Sequence, residues 1–357
     1  MRVWWVLGLA CVVLAGGPGS VAARAGKPAP ARAEEAAPIT RDAINGAAFT
    51  SSANDGVEGK PVSKAKRPDP LLIKVQVLLD RARFSPGAID GRDGANLKGA
   101  LAAFAAVQGL PANGTLDRAV FDKLQATSSE PVVTSYTITE EDVKGPFEPI
   151  PKRMEDQAEP TRMGYTNPRE MLAERFHMQR DLLSALNPDK PLDKAGTVIV
   201  VAAVAPTGDG KVEGAPLAPR AKRIEVDKGA RRVKAFGEDG TLIGDYPASI
   251  GSAEKPAPTG RFKVTSVAFD PWYTYNPKYR FQGVKTRRKF SIRPGPNNPV
   301  GLVWIDLSIP SYGIHGTPEP ENIGKTESHG CIRLTNWDAR DLASHVEKGA
   351  VAEFVMK

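Results

Sequence analysis

Cysteine supply is the tightest constraint on this chain. Its 357 residues include two cysteines. Cys11 lies in an apolar run close to the N-terminus that reads as part of a removable leader, which leaves Cys331 alone. A single thiol has no partner within the chain, so the fold must be held without a disulfide, by packed cores. A hydrophobic fraction of 41% is enough for that. The length predicts two or three domains rather than one large core.

Met1 to Ala23 reads as a secretory signal. Arg2 supplies the positive start, Val3 to Leu14 the apolar run with Trp4 and Trp5, and Gly16, Gly17, Pro18 and Gly19 break any helix. Val21-Ala22-Ala23 offers small residues for cleavage. The apolar run is shorter than the roughly 20 residues a span requires. Gly8-Leu9-Ala10 before Cys11 matches a lipoprotein cleavage box poorly, so lipid modification is the weaker alternative. The expectation is an exported protein of the bacterial periplasm, associated with the cell wall and with no transmembrane segment once the signal is gone. That compartment is oxidising, so a thiol kept there is more readily explained by use than by accident. The formal net charge of +7 favours anionic surfaces such as wall polymers, with plain solubility as the alternative. Nucleic acid is not expected, because no basic-aromatic motif accompanies the charge.

Residues 24–68 are rich in Ala, Pro, Gly, Ser and charge, and read as a disordered linker. From 69 to 127 the pattern is helical. Leu71, Leu72, Val75, Leu78 and Leu79 share one face, as do Leu97, Ala100, Leu101 and Phe104 with Asn96 as cap. Val120, Phe121 and Leu124 follow Asp117. Residues 134–204 read as strand, helix, helix, strand. Tyr136 to Thr139 is strand-like. Asn167-Pro168-Arg169-Glu170 is a helix start, Leu182, Leu183 and Leu186 mark a second helix, and Thr197 to Val201 a closing strand. His177 reads as a surface or packing residue. Residues 205–220 form a Pro/Gly linker. From 221 to 357 short apolar strands alternate with Gly-rich turns, which argues for a β-rich sandwich with one helix, Asn336 to Val346, and a last strand, Val351 to Val355. The fold class is therefore multidomain α+β.

Ile89-Asp90-Gly91 and Gly109-Leu110 with Asn113-Gly114 make the 69–127 segment resemble the three-helix peptidoglycan-binding domain of wall enzymes. Ala105 after Phe104 departs from the usual Phe-Gln of that family. The 134–204 segment resembles a degenerate LysM module, with residues 141–166 as an insertion between its first strand and first main helix.

The chemistry gathers around Cys331. It stands in Ser328-His329-Gly330-Cys331-Ile332-Arg333-Leu334, sixteen positions after His315 in Ile314-His315-Gly316-Thr317. A nucleophile with a nearby imidazole is what thiol acyl transfer requires. At neutral pH an ordinary thiol is only slightly ionised, so a base must raise the reactive fraction. His315 and His329 are both candidate bases. Gly330 allows a sharp turn and close approach of substrate. The backbone N–H of Cys331, with a neighbour such as that of Gly330, is a candidate oxyanion donor. Ser328 either orients a histidine or is a turn hydroxyl. Arg333 either holds a substrate carboxylate or pairs within the fold. Zinc on His315, His329 and Cys331 competes as a reading, but His-x-Cys is awkward spacing for two ligands from one turn. No metal and no cofactor are expected. A buried, inert cysteine is the remaining alternative.

Together with Pro258-Thr259-Gly260-Arg261-Phe262, Tyr275-Asn276-Pro277 and Gly295-Pro296-Asn297-Asn298-Pro299-Val300-Gly301, these motifs resemble the L,D-transpeptidase catalytic domain of the YkuD family, over nearly all of 221–357. The resemblance implies Cys331 as nucleophile and His315 as base. It implies support or oxyanion roles for His329, Gly330, Ser328 and Gly316, and substrate contacts for Arg333, Tyr275 and Asn276. It further implies an acyl-enzyme formed from a peptidoglycan stem tetrapeptide with release of D-Ala, and inhibition by carbapenems. The acceptor stays open: a second stem giving a 3→3 cross-link, a wall-linked protein, a D-amino acid or water. A wall-binding scaffold without catalysis is the alternative from another class.

Overall fold

The computed structural model of the protein describes residues 1, 39–50, 67–208, 216–252, 255–279, 284, 286–328 and 330–356. Residues 2–38, with Cys11, and the site histidine His329 lie outside the described residues. Among the described residues no helix is long and apolar enough to cross a membrane.

Part of the stretch read as linker is folded. Thr40 caps helix α1 (Arg41–Asn45) by accepting the Ala43 N–H, and Ile44 is fully buried. Asn45 then clamps a strand edge: its side chain donates to the Val133 carbonyl at 3.0 Å and accepts from the N–H groups of Val132 and Val133 at 2.9 and 3.0 Å. One apolar side chain and one amide anchor this turn, too few residues to create a visible periodicity. Helix α2 (Pro70–Arg81) starts on Asp69, which accepts from Leu71 at 2.7 Å, with Pro70 in the first turn. Helix α3 (Ala95–Val107) corrects one expectation. Its N-cap is Gly94 without a side-chain bond, and Asn96 instead donates to the Ile323 carbonyl at 2.9 Å, far along the chain. Helix α4 (Arg118–Gln125) is capped by Asp117, as its sequence predicts.

Strand β1 (Val133–Thr137) leads to helix α5 (Glu140–Lys144), whose Thr139 and Asp142 form a capping box. A 3-10 turn, Met154–Ala158, interrupts the excursion that follows. Helix α6 (Pro168–Arg175) is capped by Asn167, whose side chain accepts from Glu170 N–H at 2.9 Å. Helix α7 (Arg180–Leu186) precedes strand β2 (Val198–Ala202), which pairs antiparallel with β1 from Val133↔Ala202 to Thr137↔Val198. The front helices and this strand pair share a single apolar cluster running from Ile44 to Val204, so neither has a core of its own.

The remaining strands are β3 (Ala221–Asp227), β4 (Arg232–Phe236), β5 (Leu242–Pro247), β6 (Ser249–Ile250), β7 (Gly260–Phe269), β8 (Tyr273–Tyr275), β9 (Phe290–Ile292), β10 (Val303–Leu307), β11 (Gly313–His315) and β12 (Ile332–Arg333). Helix α8 (Asn336–His345), capped by Thr335, runs directly into β13 (Val346–Val355). A β-rich sandwich is expected from the sequence; the structure has nine strands in the order β5-β4-β3-β13-β7-β10-β11-β12-β6, linked through one shared strand. The joint is β7. Its first residues, Gly260 to Lys263, pair with β13, and Val264 to Phe269 pair with β10. Strands β8 and β9 form a separate antiparallel pair.

The front of the chain seals this sheet at its β5 edge. Ser85 N–H donates to the Asp245 carbonyl at 2.8 Å, and Asp245 N–H returns to the Arg83 carbonyl at 2.9 Å. The Arg232–Asp245 ion pair lies beneath, both side chains nearly fully buried. Arg232 also donates to the carbonyls of Ser85 and Asn96 at 3.0 and 3.3 Å. His177, the packing residue of the two expected alternatives, is a junction: Nδ1 meets Asp80 at 3.0 Å, Nε2 meets the Thr207 hydroxyl at 2.8 Å, and the ring stacks on Trp337 at 5.0 Å.

Candidate active site

Two very short parallel strands build the site. Strand β11 pairs with β12 as Ile314↔Ile332 and His315↔Arg333. Ile314 and Ile332 are fully buried in the sheet core. Side chains alternate along a strand, so Gly313 and His315 face the other way, and Arg333 with the adjoining Cys331 shares that direction. The hydrophobic demand on two isoleucines thus aims thiol, imidazole and guanidinium into one cleft of about 1380 Å³, which all three line. Cys331 is the free cysteine, partly exposed at its wall.

The imidazole is held on one side. His315 Nδ1 lies 2.7 Å from the Gly316 carbonyl, a contact that requires the proton on Nδ1 and leaves Nε2 as the basic nitrogen. The ring stacks on Trp304, its cross-strand partner in β10, with centroids 5.6 Å apart. Burial, reinforced by the charge of Arg333, lowers the His315 pKa to about 4 despite the opposing bond to Gly316. The ring is therefore neutral in neutral solution. Burial pushes the Cys331 thiol up, against a Gly313 backbone bond and the charge of Lys255. The resting pair is thus thiol plus neutral imidazole rather than a preformed ion pair. The sulfur sits 3.8 Å from the Ser311 carbonyl, and among the described residues no hydrogen bond joins it to the His315 ring.

The other expected residues divide. Gly330 adopts φ +128° with open space where a Cβ would stand, which both requires glycine and keeps an approach to the sulfur clear. Its N–H donates to Ser328 Oγ at 3.2 Å, a contact within the turn. Gly316 supplies the carbonyl that fixes His315. Arg333 lines the cleft and donates to the Glu327 carbonyl, while its buried Nε has no partner among the described residues. Asn276 lines the cleft, its side chain accepting from Lys278 N–H at 3.1 Å. Tyr275 does not: it is 2% exposed and stacks on Phe290 at 4.9 Å, so an expected substrate contact is a packing residue. Its neighbour Tyr273, two positions earlier, is the β8 tyrosine that lines the cleft, with its hydroxyl pushed up to about 12 by burial and the nearby Cys331. A strand of three residues gives no sequence signal to choose between them.

Among the described residues no group of three or more His, Cys, Asp and Glu side chains is placed to hold a metal ion. The cleft has a cationic rim made by Lys152, Arg153, Lys255, Lys278, Lys289 and Arg333. Among the described residues of its lining the one acid, Asp270, pairs with Arg162 at 2.9 Å. Lys152, Arg153 and Met154 come from the excursion between α5 and α6, which sequence reading treats as an insertion. It forms a wall of the catalytic cleft, a role no local pattern announces.

A family model described as the L,D-transpeptidase catalytic domain (YkuD) matches residues 221–353, and one described as "Putative peptidoglycan binding domain" matches residues 68–124. The chain is 32% identical over 127 residues to "Putative L,D-transpeptidase YkuD" of Bacillus licheniformis, covering 36% of this chain and 61% of that one. It is 30% identical over 144 residues to "Putative L,D-transpeptidase YqjB" of Bacillus subtilis, covering 39% of this chain and 70% of that one. L,D-transpeptidase 3 from Mycobacterium tuberculosis aligns at 17% identity over 45% of this chain and 75% of its own, with a TM-score of 0.32. With the thiol and imidazole on one face of β11 and β12 and 70% of a relative covered at 30% identity, the chain belongs to the L,D-transpeptidase family.

Proposed function

We propose that the protein is an exported cysteine L,D-transpeptidase that remodels peptidoglycan. His315 Nε2 takes the proton of Cys331 as the sulfur attacks the carbonyl of the third residue of a donor stem tetrapeptide. The tetrahedral intermediate collapses, the terminal D-Ala amine leaves with a proton from the imidazolium, and a thioester remains. An amine of an acceptor then attacks the thioester, His315 removes its proton, and the thiol is restored with a new amide. Gly330 N–H is engaged with Ser328 in the resting site, which leaves the Cys331 N–H as the first donor to the oxyanion. Arg333 and the cationic rim suit a substrate rich in carboxylates.

The observation that carries this reading is the committed tautomer of His315, beside a lone thiol in the same cleft. A site that keeps its imidazole neutral and one nitrogen basic is equipped to accept a proton from sulfur. The peptidoglycan-binding match at 68–124 supports delivery to the wall. The β1–β2 pair enclosing α6 and α7 supports a LysM-like role for the middle segment. Purified mature protein incubated with disaccharide-tetrapeptides tests the proposal. Cross-linked dimers lacking one D-Ala are expected; tripeptides alone would mean hydrolysis, and no change would mean a binding scaffold. Cys331→Ala is expected to abolish turnover and the mass adduct formed with a carbapenem.

A further inference from the structure

Asn336, the first residue of α8, is fully buried beside the His315 turn. Its Oδ1 accepts the Leu302 N–H at 3.0 Å, and its Nδ2 donates to the Pro296 carbonyl at 3.1 Å. The same amide fills the space above two glycines. A Cβ on Gly301 or Gly316 would stand 2.0 or 2.1 Å from Asn336 Oδ1. Gly316 is the residue whose carbonyl holds His315 Nδ1 at 2.7 Å. The amide therefore packs directly against the peptide that fixes the catalytic tautomer.

What holds the amide comes from elsewhere in the chain. Asn336 Nδ2 donates at 2.8 Å to Oε1 of Glu174, a residue of α6 in the middle segment. Tyr165 OH donates to the same oxygen at 3.2 Å. Neighbouring bonds lock the surrounding loops together. Asn297 Nδ2 donates to the Gly164 carbonyl at 2.9 Å and to Glu170 at 3.2 Å, and Met163 N–H donates to the Pro294 carbonyl at 2.9 Å. A surface module tethered beside an enzyme has no need to place a carboxyl group behind the catalytic histidine.

We infer that Glu174 is a positioning residue for the thiol chemistry: through Asn336 it sets the Gly316 carbonyl and hence the orientation of His315, so the middle segment completes the active site. The inference rests on the thiol–imidazole reading above. Glu174 is buried with desolvation as the main influence on it, and its pKa is raised to about 8. Hydrogen bonds from Asn336 and Tyr165 and the charge of Arg180 oppose the rise, while Glu170 adds to it. At pH 7 the group is a neutral acid whose Oε1 accepts, and a glutamine offers the same acceptor with no charge.

The test uses the full mature chain and two variants, Glu174→Ala and Glu174→Gln. Thiol acylation by a carbapenem is followed by mass and absorbance, and the His315 ring by NMR with pH. Glu174→Ala is expected to slow acylation roughly ten-fold or more, because small misplacement of a catalytic group is costly. It is also expected to move the His315 ring resonances while the fold melts cooperatively. Glu174→Gln is expected to stay within about two-fold of the parent, because the acceptor geometry is kept. Parent-like acylation and unmoved His315 resonances in Glu174→Ala would overturn the inference, as would equal impairment of both variants in proportion to lost thermal stability. A parent protein that never acylates would instead refute the thiol reading, and the His315 resonances would still decide whether Glu174 positions the ring.

Discussion

In the proposed reaction Cys331 and His315 share one proton. The imidazole titrates at about 4, so its basic form is complete well below neutrality. The thiol is raised by burial and does not ionise alone at working pH. The acylation rate is therefore expected to climb as pH rises through about 4, where the imidazole loses its proton, and to climb again only in alkaline solution as the thiol ionises. A pH series of carbapenem acylation reads both limbs. His315→Gln should remove the acidic limb and cost on the order of 100-fold or more at pH 7, the usual contribution of a positioned base. Gly316→Ala tests the support: the new Cβ would meet Asn336 Oδ1 at 2.1 Å. Overpacking of this kind costs about 1–3 kcal/mol, so a lowered unfolding midpoint together with slower acylation is expected. Among these residues the proposed nucleophile and base stand out in the sequence because their motif is local, and the structure places both in one cleft. Tyr275 and Tyr273 are not separable there, since facing is set by a three-residue strand and its partner β9. Glu174 carries no local signal at all: its significance comes from Asn336, far along the chain.

At the scale of elements, legibility follows the length of the periodic pattern. Helices α2, α4 and α6 have side-chain caps and α7 the buried Leu182, Leu183 and Leu186, and they appear where the spacing places them. Helix α1 rests on Ile44 and the Asn45 clamp, and its surroundings read as linker. Strands β11 and β12 are two or three residues long, below any periodicity, although they hold the site. Strand β7 has ten residues, enough to serve two partners in succession, and so links the two halves of the β-rich unit. The β5 edge is closed by a pair that only tertiary structure brings together. Arg232 is 4% exposed and its partner Asp245 is 0% exposed. Removing one member of such a pair leaves a buried charge uncompensated, at about 3–5 kcal/mol. Arg232→Met is therefore expected to lower stability in urea by that amount. The double variant with Asp245→Asn should recover part of the loss, which a surface ion pair would not do.

Over the whole molecule, three stretches that read as separate modules are tied by buried acids at their junctions. Glu174 joins the middle segment to the His315 turn. Asp338, in α8, accepts from the Ser85 hydroxyl at 2.9 Å and lies beside Asp80 and His177. Burial, with the charge of Asp80, raises Asp338 from 3.8 to about 7, and burial raises Glu174 from 4.5 to about 8. A carboxyl whose folded pKa exceeds its unfolded value binds more protons folded than unfolded in the interval between them. Its stabilising contribution is complete below the unfolded value, and it is lost as pH rises through the folded one. The junctions are thus expected to be firmest at about pH 4 and below and to weaken as pH rises from about 4 to 8. Unfolding midpoints should fall over that window in the parent. Asp338→Asn and Glu174→Gln should each flatten the slope, and the pair should flatten it further, because their sites lie in different hydrogen-bond networks. A parent protein whose midpoint rises from pH 5 to pH 8 would mean that these acids ionise freely within the fold, and that the modules are not joined through neutral carboxyl groups.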